Sequence, residues 1–139
     1  MDETEARQRF AAARVATLAT VSSGGAPPHH APNLVPVVFA VEGDTLWTAT
    51  DAKPKRGGAL RRYANVRTNP AVGLLVQHWD EDWSALWWVR ADGLAVVHEA
   101  PATVAHAVRL LRAKYRQYGE VDVDGPVLEV AVHRWRGWP

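Results

Sequence analysis

The sequence predicts a mainly β, α+β fold: six antiparallel strands rolled into a small barrel with three helices packed outside it. Three observations carry this expectation. Short segments rich in β-branched and aromatic residues are joined mostly by turns of hairpin length. Helical patterns do not alternate regularly with strands, which argues against a doubly wound parallel sheet. Connections are mostly hairpins, with one helix between the third and fourth strands, as suits a small barrel. At 139 residues the chain is expected to form one domain, residues 1–139. That length buries roughly two thirds of the surface its unfolded chain exposes.

The elements follow in order. Asp2, Glu3 and Glu5 are acidic where a helix N-terminus favours negative charge, and Ala6, Phe10 and Ala13 recur at helical spacing, predicting a helix to about Arg14. Val15–Val21 reads as the first strand. Residues 22–32, SSGGAPPHHAP, form a Gly/Pro/Ser/His loop that is expected to be mobile. Leu34–Val41 is the second strand, with Pro36 marking an edge or a bulge. Glu42-Gly43-Asp44 turns into a third strand, Thr45–Thr50. A helix from Gly58 to Arg67 ends at Asn69-Pro70. Ala71–Trp79 and Ser84–Glu99 are strands four and five, the latter bent at Asp92-Gly93. Pro101 opens a third helix whose stripe is Val104, Val108, Leu111 and Tyr115, stopped by Gly119. Val127–Trp135 is strand six.

Composition narrows the function. There is no cysteine, so disulfides, thiolate chemistry and cysteine-ligated zinc are excluded. No run approaches the ~20 apolar residues of a membrane span, and the acidic MDETEA start is unlike a signal peptide, so a cytoplasmic location is expected. The net charge of +1 gives no overall field toward nucleic acid or membrane. The cations are clustered, however: residues 53–67 contain Lys53, Lys55, Arg56, Arg61, Arg62 and Arg67 and no acid.

That cluster is the most informative feature. It begins just after Thr48 and Thr50 and runs into the start of the second helix, where unpaired backbone N–H groups already carry partial positive charge. Cations there suit a bound anion such as phosphate. A solvated basic loop is the plainer reading of the same residues.

The ordered pieces Arg14-Val15-Ala16-Thr17-Leu18-Ala19-Thr20, Leu34-Val35-Pro36-Val37-Val38-Phe39, Asp51-Ala52-Lys53-Pro54-Lys55-Arg56, Ala64-Asn65-Val66-Arg67-Thr68-Asn69-Pro70, Asp80-Glu81-Asp82-Trp83 and Trp87-Trp88-Val89-Arg90-Ala91-Asp92-Gly93 resemble the pyridoxamine-5′-phosphate-oxidase-like superfamily of FMN-binding split barrels. More narrowly, they look like its F420-dependent branch. The resemblance implies a homodimer with the cofactor, F420 or alternatively FMN, at the subunit interface. It implies an oxidoreductase that moves a hydride to or from a small unsaturated or quinone-like substrate. By position, Thr48 and Thr50 become hydroxyl donors, Lys55 and Arg56 a phosphate clamp, Lys53 a second cation near the tail, and Val35, Pro36 and Val37 the strand facing the ring. Arg61, with Arg62, would meet the oligoglutamate tail of F420, which FMN lacks. The family pattern has a short turn ending in Pro-His where this chain has Asn33 and a longer loop carrying His29 and His30.

Trp87 and Trp88 fall on opposite faces of strand five, as core and interface packing or as ring- and substrate-lining residues. His29 and His30 lack the rigid spacing of a metal site, and no metal is expected. No nucleophile elbow or acid–base pair stands out, so no catalytic residue is named; in such enzymes the cofactor carries the chemistry. Two other classes compete: a non-catalytic flavin or haem binder, and a nucleic-acid module, for which only Tyr63 offers a stacking ring beside the cations.

Overall fold

The computed structural model describes residues 1–24, 29–50, 61–119, 123 and 125–139. Its elements are α1 (Glu3–Ala12), β1 (Ala16–Val21), β2 (Pro32–Val37), β3 (Ala40–Glu42), β4 (Thr45–Ala49), α2 (Arg61–Thr68), β5 (Ala71–His78), β6 (Trp87–His98), α3 (Pro101–Lys114) and β7 (Val127–Trp138), with 3-10 turns at Trp83–Ala85 and Arg116–Gly119. The seven strands form one antiparallel sheet in the order β2-β1-β5-β6-β7-β4-β3.

The expected six strands are seven, because the segment read as one strand, Leu34–Val41, divides at Val38-Phe39. Its halves lie at opposite edges of the sheet, β2 against β1 and β3 against β4. In a flat sheet those edges would be about 29 Å apart, at ~4.8 Å per strand. The connection from Val37 to Ala40 spans at most about 11 Å. The sheet must therefore curl until its edges approach, which makes it a split barrel. Pro36 sits in an edge strand, where its missing N–H leaves no central ladder position unpaired.

The inward face follows the period-2 alternation. Val35, Leu18, Leu74, Ala91 and Trp135 are successive register partners around the barrel, and all pack in or against its core. The helix α1 plugs one end. Its Asp2 carboxylate caps the Glu5 N–H at 2.8 Å, and Phe10 drives into the core, 5.0 Å from the Phe39 ring and 5.3 Å from that of Trp135. The helix α2 closes the other end with Tyr63 and Val66, and Asn65 donates to the buried Thr20 hydroxyl at 3.0 Å. The third helix packs outside the barrel on β3 and β4, joining Val104, Ala107, Val108 and Leu111 to Ala40, Trp47 and Ala49.

The bend at Asp92-Gly93 is a bulge: Asp92 pairs with Arg134 but Gly93 with Val132, leaving His133 extra. A Cβ on Gly93 would lie 2.5 Å from the Ala131 carbonyl oxygen, so only glycine fits there. Smaller differences concern ends. Strand β6 starts at Trp87 because Ser84 belongs to a 3-10 turn, in which Asp82 accepts from the Ser84 N–H. The third helix ends at Lys114, and Gly119 closes a separate 3-10 turn.

Candidate cofactor and ligand sites

Strand β4 alternates inward and outward, and this sets the fate of the two threonines. Thr48 follows Leu46 inward, is 2% exposed, and donates to the Val38 carbonyl at 2.8 Å, tying β4 to the β2–β3 crossover. Its proton serves the fold. The Thr50 hydroxyl lies 3.2 Å from the Tyr63 hydroxyl, which donates to the Pro126 carbonyl at 3.0 Å. Tyrosine has one proton, so with it on Pro126 the Thr50 hydroxyl donates to tyrosine and keeps only lone pairs for a visitor. An anion at this corner would therefore have to be held by cations.

Those cations divide. Lys53, Lys55 and Arg56 lie outside the described residues. Arg67 is paired with Glu99 at 3.2 Å, and the Arg62 guanidinium stands 5.7 Å from the centre of the Tyr63 ring. Arg61, exposed at the start of α2, meets no carboxylate among the described residues, and the first turn holds no acid. Tyr63 positions this start: one hydroxyl joins the end of β4, the approach to β7 and α2.

Along β2, Val37 is buried in the core and Val35 packs against it, so both point into the barrel. Pro36 alone of the three is on the outer face, beside the exposed Leu34. A ring lying on that surface would meet Pro36 and backbone rather than the two valines.

A second feature sits at the other end of the sheet. A groove of about 510 Å³ is lined by Trp79, Trp87, Trp88 and Trp138 with Leu75 and Arg90. Trp87 also packs against the core, its ring stacked on His78 with centroids 6.0 Å apart and covered by the Arg9 guanidinium at 5.3 Å. Arg90 is held by Asp92 at 3.1 Å. Trp87 and Trp88 are legible as candidates in the sequence; Trp79 and Trp138 are not, yet Trp79 is 64% exposed. The missed signal was strand pairing, since the register sets Trp88 opposite Trp138 and Trp87 opposite His78.

The groove and the cationic corner are far apart in one protomer. Strand β7 begins at Val127 beside Ala49 and ends at Trp138 beside Trp88. Twelve residues of strand reach roughly 35 Å.

Residues 2–139 match the family model of pyridoxamine 5′-phosphate oxidase. Among solved structures, the conserved hypothetical protein Rv2991 of Mycobacterium tuberculosis superposes with a TM-score of 0.76 at 22% identity, over 99% of this chain and 84% of that one. A FAD-binding protein of Mesorhizobium loti gives 0.71 at 18% identity, over 99% and 94%. HupZ of Group A Streptococcus gives 0.69 at 19%, over 99% and 100%. These likenesses carry the fold. Among curated proteins, no sequence matches this chain. A match spanning nearly the whole chain, on a sheet whose crossover forces it to curl, makes this protein a member of the pyridoxamine 5′-phosphate oxidase family.

Proposed function

We propose that the chain works as a homodimeric oxidoreductase that binds F420 between subunits and transfers a hydride to or from a small unsaturated or quinone-like molecule. One observation carries the reading: Arg61 opens α2 with no acidic partner among the described residues, within a run, 53–67, that contains six cations and no acid. Such a corner suits a phosphodiester followed by a carboxylate-rich tail. Lys55 and Arg56 would clamp the phosphate, while Lys53, Arg61 and Arg62 would meet the tail. When bound, the deazaflavin supplies two-electron hydride chemistry; the chain's residues hold and orient it.

The dimer is supported by two features. The uncovered outer face of the sheet carries Leu34 at 67%, Leu94 at 51% and Val96 at 49% exposure. Large apolar residues exposed on one outward face suit a surface that a second copy would cover. The roughly 35 Å between cationic corner and tryptophan groove also means that a site using both needs two copies. The Mesorhizobium relative, named as FAD-binding, favours FMN as the second reading of the cofactor.

Titration of the cofactor-stripped protein with F420 and with FMN, read by quenching of its seven tryptophans, tests this. Tight F420 and weak FMN binding is the expected result; the reverse makes it a flavoprotein, and binding of neither overturns the reading. Replacing Lys55 and Arg56 together by alanine is expected to weaken cofactor binding at least tenfold, about 1.4 kcal/mol. Unchanged affinity would remove the clamp.

A further inference from the structure

Where β5, β6 and β7 run side by side, strand pairing sorts their outward residues into rows. Gln77, Trp88 and Trp138 form one row, Leu75, Arg90 and Arg136 the next, and Gly73, Asp92 and Arg134 a third. Leu74, Ala91 and Trp135, which alternate with them, fill the barrel core. Arg90 and Arg136 are therefore direct cross-strand partners, and like charges placed opposite each other cost a sheet stability. The one acid in these rows does not cancel them. Asp92 meets Arg90 through Nε, at 3.1 Å, which orients the guanidinium and leaves its two terminal amino groups without a partner among the described residues. Arg134 and Arg136 are exposed, and neither pairs with a carboxylate among the described residues. The neighbouring acidic turn is engaged within itself. Asp80 accepts from the Asp82 N–H at 2.7 Å, Asp82 from Ser84, and Glu81 from the Trp79 indole.

We infer that this part of the sheet binds a flat aromatic molecule carrying an anionic group, an aromatic carboxylate being the simplest, with its ring among the tryptophans and its charge on Arg90 and Arg136. The groove of about 510 Å³ has the size of a small-molecule site. Its walls are indoles, with Trp79 and Trp138 left 64% and 47% exposed, and indoles hold a second ring by offset stacking or edge contacts. Arg90 lines the same groove, and the row it shares with Arg136 lies beside the row of Trp88 and Trp138. An anion between the two guanidiniums relieves their repulsion and takes forked, charge-assisted hydrogen bonds. An aliphatic acid would leave the indoles uncovered, and a neutral ring would leave the arginines opposed. The site lies at the far end of β7 from the cationic corner, so the inference does not rest on the F420 reading.

Calorimetric titration of the cofactor-stripped protein with naphthoate, with neutral naphthylmethanol and with cyclohexanecarboxylate, at about 0.15 M salt, tests this. Naphthoate is expected to bind about tenfold tighter than either of the others. Arg136→Gln should weaken naphthoate about tenfold and leave naphthylmethanol unchanged, whereas Trp138→Ala should weaken both. Both side chains are exposed, so both variants are expected to fold, and circular dichroism checks that they do. Naphthoate that binds no tighter than the alcohol, or a preference for it that survives Arg136→Gln, overturns the inference. So does loss of naphthoate binding in Lys55→Ala/Arg56→Ala in place of Arg136→Gln, which puts the anion at the cationic corner. Arg136→Gln and Trp138→Ala variants that change sedimentation but not naphthoate affinity would make this surface a contact between copies and overturn it equally.

Discussion

Under α3, the outward residues Trp47, Ala49 and Val127 are at most 7% exposed, whereas elsewhere on the same outward face Leu34, Leu94 and Val96 stand about half exposed or more. Both sets arise from the same alternation, with every second residue turned away from the barrel core. They differ in what the chain supplies to cover them. The covered side receives a helix with a full apolar stripe; among the described residues the open side receives none, and carries leucine and valine into solvent. Where the fold supplies its own cover, as α3 does, the outward apolar residues are dry; the proposed dimer would do the same for the open face.

The sharpest way to break this comparison is to truncate matching leucines. Leu111, fully buried on the inner face of α3, should cost about 3 kcal/mol of stability as Leu111→Ala, since a cavity remains against Trp47 and its neighbours. Leu34→Ala should change the stability of a protomer by less than ~0.5 kcal/mol. Urea unfolding of both variants checks this. Similar losses at both sites would mean that the open face is covered within one chain.

Next in size is a charge on the open face. Leu94→Arg is expected to weaken self-association at least tenfold, about 1.4 kcal/mol, while leaving the protomer folded. Sedimentation over a concentration series reads the first effect and circular dichroism the second. A wild-type protein that sediments as a monomer at all concentrations would sink the homodimer itself.

A smaller effect is expected at the cationic corner. Tyr63→Phe removes the hydroxyl that links Thr50 and Pro126, at a cost of about 1 kcal/mol. Because that hydroxyl fixes the approach to α2, cofactor affinity should fall a few-fold as well. Loss of stability with unchanged affinity would separate the corner from the binding site.

These two regions were not equally readable. Strand and helix identities came from local patterns: β-branched runs, the stripe on α3, and the Asp92-Gly93 bend. The inward ring of Leu18, Leu74 and Ala91 is set by strand register, which no local pattern carries. The division of Leu34–Val41 is hidden too, because both halves have the same β-forming residues and only the closing of the sheet separates them. The candidate site was half visible for a similar reason. Clustered charge shows in one dimension, so the 53–67 run stood out. Thr48 looked free because its partner, the Val38 carbonyl, comes from another strand. The tryptophan groove needed the pairing of Trp88 with Trp138, fifty residues apart.

The smallest expected effect concerns the rim of the covered side, where α3 ends in a cation kept partly dry. Lys114 in the folded chain titrates near 8, below the ordinary lysine value of 10.5, chiefly because burial disfavours its charge. Below pH 8 both folded and unfolded chains hold the proton, so the folded state bears that cost in full. Between about 8 and 10.5 the folded chain has released it while the unfolded chain still binds it, so the unfolded state holds more protons and stability rises with pH. With half the side chain in water the gain is about 0.5 kcal/mol after screening. The difference in unfolding free energy between wild type and Lys114→Met should therefore shift in favour of wild type across that window. A difference that stays flat would mean the amine is fully hydrated, and that α3 meets α1 through a wetter joint than the one that covers Trp47.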